Sequence, residues 1–295
     1  MAVYNFGSIN WDHVFTVPHL VRTGETLSSL GYQVFLGGKG ANQSVALAKA
    51  GADVHHIGAL KQSDPALEHL TSLGVCTSGI EQLDIATGQA MIQVMPDGDN
   101  AIVLSPGANH RNHLSWLERQ LANAESDDWL LLQNETNLIE AAANKGQQHS
   151  MKVAFNPAPM DKDKVHRLLS LLDLLIINQI ELTDLTGTED LENALQQLHH
   201  QAPSLAILVT LGSRGALYQS TTERVSTQGF RVQAVDTTGA GDTFIGYFIA
   251  ALDNGLTPST ALSQASAAAA ISVTQHGAMD AIPNADEVHY FMDNY

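Results

Sequence analysis

Asp236-Thr237-Thr238-Gly239-Ala240-Gly241-Asp242-Thr243-Phe244 is the stretch on which the reading of this chain turns. It follows a β-like run, Arg231–Val235, and opens a long helical stretch, Ala240–Leu252. A Gly-Ala-Gly turn at a helix start leaves successive N–H groups without carbonyl partners and lets a foreign backbone or phosphate come close. The helix dipole adds positive potential at the same place. Asp242 falls in the first turn, beside that anion site. Two roles are open to it. It can be an acid that supports the dipole, or a base that takes a proton from a hydroxyl attacking a terminal phosphate.

Outward from this turn, short β-rich runs alternate with stretches of helical spacing. The runs are Ala2–Ile9, Val54–Ile57, Trp129–Gln133, Val153–Asn156, Leu174–Ile177 and Leu205–Thr210. Between them lie Ala41–Ala50, Pro65–Leu73, Asn112–Ala122, Thr136–Lys145 and Leu191–His200, and Pro258–Thr274 follows the long helix. Apolar strands alternating with helices predict an α/β fold whose mostly parallel sheet is covered by helices on both faces. Val14–Phe35 and Gly88–Leu104 break the alternation with short alternating segments, and Asp97-Gly98 marks a hairpin turn. These two places predict a small antiparallel β lid, from about 12–36 and 88–105, on a single domain spanning 1–295.

Composition narrows the function. With 14 Lys and Arg against 31 Asp and Glu, the formal charge is −17, and a nucleic acid would meet a field of its own sign. A phosphate ligand is compatible with that charge, because a few backbone N–H groups make a local positive site. Hydrophobic residues at 44% argue against disorder. The one cysteine, Cys76, excludes an internal disulfide and a multi-thiolate zinc site. Met1–Gly7 lacks a basic region followed by an apolar one, and the most apolar run, Leu168–Ile177, is too short to span a bilayer. A cytoplasmic protein with no membrane partner is the expectation.

Two more polar clusters sit where strands give way to helices or loops. Gly37-Gly38-Lys39-Gly40-Ala41-Asn42-Gln43 precedes a helix; its glycines suit a tight turn, and the Asn42 amide can bond sugar hydroxyls as donor and acceptor. Asn10 and Asp12 follow the first strand, where open parallel sheets bind ligands, although turn formation explains the same residue types. The chain holds no Gly-x-x-x-x-Gly-Lys-Ser/Thr, so it is not a P-loop protein. His55-His56 and His199-His200 lack companion ligands and read as surface histidines.

Gly7-Ser8-Ile9-Asn10, Gly24-Glu25-Thr26, Gly37 to Gln43, Asn156-Pro157-Ala158-Pro159, Thr210 to Gly215 and Asp236 to Phe244 occur in this order. Together they resemble the ribokinase-like (phosphofructokinase-B type) carbohydrate kinases, over nearly the whole chain. The resemblance implies ATP as phosphate donor, Mg2+ as cofactor and K+ as activating cation. It implies Asp242 as the base and Gly239, Ala240 and Gly241 as the anion hole. Asn10, Asp12, Gly38, Lys39, Asn42 and Glu135 match sugar-contacting positions. Asn178 and Glu181 match the motif that orders magnesium and phosphate. Thr210, Gly212, Ser213 and Gly215 match the nucleotide-binding turn, with Ser266 near the adenine. Asp236 and Thr238 match ligands of the monovalent cation, completed near Ser272, Gln275 and Gly277.

The implied activity is transfer of a phosphate to a primary hydroxyl, with ribose the expected sugar. A nucleoside kinase, with Trp11 stacking on a base, another sugar kinase of fructose type, and a catalytically silent sugar-binding protein are the alternatives. Four departures from the family pattern stand out: the loop Ala59–Ala66, Ser266 where a larger polar residue is common, Ala281 where a side-chain cation ligand is common, and Trp11 where a small residue is usual. The lid strands carry open edges of the kind a second subunit covers, so a homodimer through the lid is expected.

Overall fold

The computed structural model describes residues 1–96 and 98–295. The first half of the chain runs β1 (Ala2–Phe6), β2 (Asn10–Thr16), β3 (Gly31–Gly37), α1 (Lys39–Lys49), β4 (Asp53–Lys61) and α2 (Ala66–Ser72). It continues through β5 (Cys76–Leu83), β6 (Gly88–Val94), β7 (Asn100–Ser105), α3 (Leu114–Leu121), β8 (Trp129–Gln133) and α4 (Ile139–Gln148). The second half holds β9 (Lys152–Asn156), α5 (Lys162–Leu168), β10 (Leu174–Asn178), α6 (Gln179–Thr186), α7 (Leu191–Gln201) and β11 (Ala206–Thr210). It closes with β12 (Ala216–Gln219), β13 (Arg224–Thr227), α8 (Ala240–Asp253), α9 (Pro258–Ser272) and α10 (Ala285–Asn294).

Nine strands form the main sheet in the order β13-β12-β11-β10-β9-β8-β1-β4-β5. It is parallel from β11 to β5, and β12 and β13 add an antiparallel edge. Successive strand residues feed opposite faces. Leu174, Ile176 and Leu208 enter one core with Val45 and Phe248, while Leu175, Ile177 and Val209 enter the other with Leu117 and Leu195. This is the period-2 alternation of a sheet covered on both sides, as the apolar runs predict.

The same burial corrects one expectation. His56 is fully buried on β4, not at the surface, because alternation turns it inward where His55 keeps partial exposure. Arg231–Val235 is also not a strand; after β13 the chain is irregular until the turn before α8. Its β-branched composition serves a cavity wall instead.

The small sheet has the order β3-β2-β6-β7. Its two outer pairs are antiparallel, whereas β2 and β6 at the centre run parallel, since they arrive from separate parts of the chain. The turn expected at Asp97-Gly98 rests on Asp97, which lies outside the described residues. Among the described residues no helix is long and apolar enough to cross a membrane.

The order of the main sheet reverses direction between β1 and β8, from which the chain builds outward to either side. Such a switch point opens a crevice at the carboxyl ends of the strands. The start of α1 is pressed against that crevice. A Cβ on Gly40 would meet Ser8 N at 2.4 Å and Gly7 Cα at 2.5 Å. Gly40→Ala, a change that gains about 1 kcal/mol in an ordinary helix interior, is therefore expected to lose on the order of 1–3 kcal/mol here. A urea midpoint equal to that of the wild type would contradict this close approach.

Candidate active site

Asp242 is the third residue of α8, behind a left-handed Gly239 (φ 73°) that starts the helix. Only 7% of Asp242 is exposed, and two side-chain amides face its carboxylate. Gln43 Nε2 donates to Oδ1 at 2.9 Å, and Asn42 Nδ2 donates to Oδ2 at 3.1 Å. Gln43 is itself held, since its Oε1 accepts from Gln133 Nε2 at 2.7 Å. Gln133 also donates to Asn5 Oδ1, and Asn5 Nδ2 donates to Ser44 Oγ and Gly40 O, all at 2.8 Å. Ser44 Oγ meets His56 Nδ1 at 2.8 Å. Burial pushes the His56 imidazole down to about 4, so it is neutral near pH 7 and pairs with the Ser44 hydroxyl without a charge. Gln133 Nε2 donates both ways, to Gln43 on the side of Asp242 and to Asn5 on the side of His56, so the network joins a neutral imidazole to an anionic carboxylate through that one amide.

Gly239 and Gly241 are glycines for different reasons. At 239 a Cβ would meet Ala278 Cβ at 2.9 Å, and the φ is positive, so the fold demands glycine. At 241 a Cβ would meet nothing within 4 Å and no positive φ is needed. The fold tolerates a methyl there, and the open space beside it is part of a cavity. At the start of α8, Ala240 N donates to Thr237 O at 3.3 Å, while Gly241 N and Asp242 N belong to the first turn, whose N–H groups lack helical carbonyl partners.

The polar groups expected to hold a sugar gather at the crevice between β1 and β8. Ser8 Oγ and Lys39 N both donate to Glu135 Oε2. Asn10 is fixed by Asn109, whose Nδ2 donates to Asn10 Oδ1 at 2.7 Å and whose Oδ1 accepts from Ile9 N at 2.9 Å. Gly88 makes room for this pair, because a Cβ there would come within 2.2 Å of both Asn10 Oδ1 and Asn109 Nδ2, and Gly37 does the same for Asp12, whose Oδ2 would lie 2.1 Å from a Cβ. Burial, then the charges of Glu135 and Asp242, push the Asp12 carboxyl up to about 7, against the pull of Lys39. Burial likewise raises Glu135, which Lys39 and Ser8 partly offset. The Asp242 charge raises the Lys39 ammonium, with Glu135, Glu181 and Asp12 adding to it against burial. Four carboxylates thus act on one lysine.

On the other side of Gly241 lies a cavity of about 720 Å³. Asn178, Thr210, Gly212, Ser213, Gly215, Ala240, Gly241 and Ser266 all line it, with Phe230, Arg231 and Val232 on one wall. The Ser266 hydroxyl is buried with no partner. Asn178 and Glu181 form a reciprocal cap at the start of α6, at 2.8 and 2.9 Å. That is the ordinary helix start open to this pair, and Glu181 still reaches Lys39 electrostatically.

Asp236 ties two loops together. Its Oδ1 accepts from Thr238 N at 2.9 Å and Oγ1 at 2.7 Å, and its Oδ2 accepts from Gly277 N at 3.0 Å. Burial would raise its carboxyl, but these bonds and nearby His276 hold it below the usual range. Ser272 ends α9 just before the loop of Gln275 and Gly277, and Gln275 N donates to Ser272 O at 3.2 Å. Among the described residues no cluster of three or more His, Cys, Asp or Glu could hold a metal. An oxygen-only donor set around one acid suits a weakly held hard cation rather than a transition metal.

Trp11 is not at the polar crevice between β1 and β8. Strand alternation turns it to the face opposite Asn10 and Asp12, where its Nε1 donates to Asp64 at 3.1 Å. The divergent loop 59–66 is thereby anchored, with Thr87 Oγ1 also donating to Asp64. Ala281 is buried and offers no side-chain ligand. Gln43, Gln133 and Asn109 received no role from the sequence. Gln43 stands within a quoted motif, whereas Asn109 sits in a 3-10 turn, Gly107–His110, with no pattern to mark it.

Gly241→Ala is expected to keep or slightly raise stability while lowering turnover, because its methyl would project into the anion space; equal loss of both would contradict the reading. Asp12→Asn tests the raised carboxyl. Between pH of about 4 and 7 the folded wild type holds a proton that the unfolded chain has lost, so its stability falls as pH rises. The stability gained by the variant should grow across that window and level off above it, as followed by urea unfolding at a series of pH values.

A family model described as pfkB family carbohydrate kinase matches residues 2–285. Ribokinase from Haemophilus influenzae is 38% identical over 302 aligned positions, covering 98% of this chain and 97% of that protein. The structure of ribokinase from Thermotoga maritima superposes with a TM-score of 0.87 at 33% identity and covers 100% of both chains. Ribokinase from Arabidopsis thaliana, solved with ribose and ATP, gives a TM-score of 0.84 at 27% identity over 99% of each chain. The match from residue 2 to residue 285 shows the family, and this chain belongs to the pfkB family of carbohydrate kinases.

Proposed function

We propose that the protein transfers the γ-phosphate of ATP to the primary hydroxyl of ribose, giving ribose 5-phosphate. The observation that carries this reading is the free space at Gly241, open on one side of a buried carboxylate fixed by two amides. Asp242 takes the proton from the attacking hydroxyl, and the first-turn N–H groups at Gly239, Ala240 and Gly241 receive the phosphoryl oxygens. Asn10, Asp12, Gly38, Lys39, Asn42 and Glu135 hold the sugar. The buried Asn42 Oδ1 has no partner and is available to a hydroxyl. Closure of the lid sheet excludes water, which limits wasteful hydrolysis of ATP.

Thr210, Gly212, Ser213, Gly215 and Ser266 receive the nucleotide in the large cavity. Asn178 and Glu181 would order Mg2+ through water. Asp236, Thr238, Ser272, Gln275 and Gly277 would hold K+. When bound, these ions neutralise phosphate charge and strengthen the positive potential at the start of α8.

The lid exposes Tyr32, Val34 and Val103 on one face and Ile102 and Leu104 on the other, apolar surface that supports a homodimer through this sheet. Use of ATP and a lone thiol fit the cytoplasm. Nucleoside phosphorylation is disfavoured, since Trp11, the residue suited to stack on a base, faces away from the sugar crevice and is bonded to Asp64. The intact Asp242 and Gly241 weigh against a silent sugar-binding protein.

A coupled ADP-release assay over ribose, deoxyribose, fructose and nucleosides, with and without K+, tests the whole reading. Ribose is expected to give the highest kcat/KM. Asp242→Asn is expected to bind ribose but lose roughly 10²–10⁴ in turnover. Near-wild-type turnover in that variant removes Asp242 as the base, and a preference for a nucleoside removes ribose.

A further inference from the structure

One wall of the nucleotide cavity is the segment 228–234, which carries no helix, strand or turn. Phe230, Arg231 and Val232 line the cavity from it. An irregular wall needs something outside to fix it, since loops with few backbone bonds open at little cost. That outside support comes from α10 and the residue beyond it. Phe291 and Tyr295, four residues apart on one helical face, grip the Phe230 ring. The Phe230–Tyr295 centroids are 4.7 Å apart at 85°, and the Phe230–Phe291 centroids are 5.2 Å apart at 65°. Both are edge-to-face contacts of the favourable kind. The Tyr295 hydroxyl then accepts a hydrogen bond from Arg231 N at 2.7 Å, the residue next to the gripped ring.

We infer that Tyr295, with Phe291, is a positioning residue for nucleotide binding: a brace that sets where Phe230 and Arg231 stand against the base-side wall of the cavity. This rests on the nucleotide reading above and adds to it a determinant of nucleotide affinity and base choice that touches no ligand. Phe230 is the link, because the same ring lines the cavity and fills the aromatic clasp. The sugar crevice lies across Gly241 from this wall, so the brace acts on the nucleotide alone.

Tyr295→Phe keeps the ring and removes only the bond to Arg231 N; Tyr295→Ala removes both. ADP affinity by titration calorimetry, and KM for ATP, GTP and ribose with kcat, are measured in each. Tyr295→Phe should raise KM for ATP roughly 3- to 10-fold, and Tyr295→Ala should raise it further and narrow the ATP-over-GTP preference. KM for ribose and kcat at saturating ATP should stay within about twofold. If Tyr295→Ala proves unstable, the Tyr295→Phe result decides. Wild-type ADP affinity with no change in Tyr295→Phe overturns the brace alone. Loss of kcat and of ribose binding in step with ATP also overturns it, as general loosening. Wild-type protein that binds no ADP overturns the nucleotide reading and the brace with it.

Discussion

A carboxylate nine-tenths hidden from water must be paired, and the pairing chosen for Asp242 organises the molecule around it. Removing a buried partner of a charged group is costly, so the bonds from Asn42 and Gln43 tie the start of α8 to the start of α1. Behind Gln43 the amides of Gln133 and Asn5 extend the tie to the carboxyl ends of β8 and β1. Four elements far apart in sequence thus meet at one charge. The arrangement also orients Gln43 and Asn5, whose oxygens both accept from Gln133 Nε2 while their own nitrogens donate onward, and it leaves the buried Gln133 Oε1 without a partner. Neutral His56 at the far end closes the series without adding a competing cation.

Amides rather than a cation hold Asp242, and that choice suits a base. A lysine or arginine in direct contact would neutralise the carboxylate and weaken its hold on an incoming proton. Lys39 supplies positive charge from nearby instead, shared among Asp12, Glu135, Glu181 and Asp242. With several acids competing for it, no single one is cancelled. The cost appears at Asp12, whose carboxyl is driven up to about 7 by burial and by its neighbours.

Much of this was legible in the chain. The alternation of apolar runs and helical stretches gives the covered parallel sheet, since strands such as Leu174–Asn178 bury both faces and show no alternation to confuse the pattern. The turn before α8 is legible because glycine there answers both to the fold, at Gly239, and to open space, at Gly241. What escaped was set by tertiary contact. Asn109 positions Asn10 from 99 residues away, which no local spacing records. The inward turn of His56 depends on which neighbours cover β4, and the parallel seam between β2 and β6 depends on pairing across the chain. Arg231–Val235 has strand composition but lies against a cavity, so the contacts of that wall override its propensity.

A molecule of charge −17 that receives a polyphosphate must make its positive field locally. With 14 Lys and Arg in 295 residues, side chains supply little of it, and the cavity wall offers Arg231 while Lys39 stands among Asp12, Glu135, Glu181 and Asp242. The remainder is backbone: the start of α8 behind Gly239, and the glycine turn at Gly212 and Gly215. Backbone N–H groups cannot titrate and are fixed by the fold, so they bring positive potential without adding flexible cations that would pair with Asp242. The low content of charged side chains is therefore compatible with phosphate transfer, because the fold converts glycine geometry into the charge that the composition lacks.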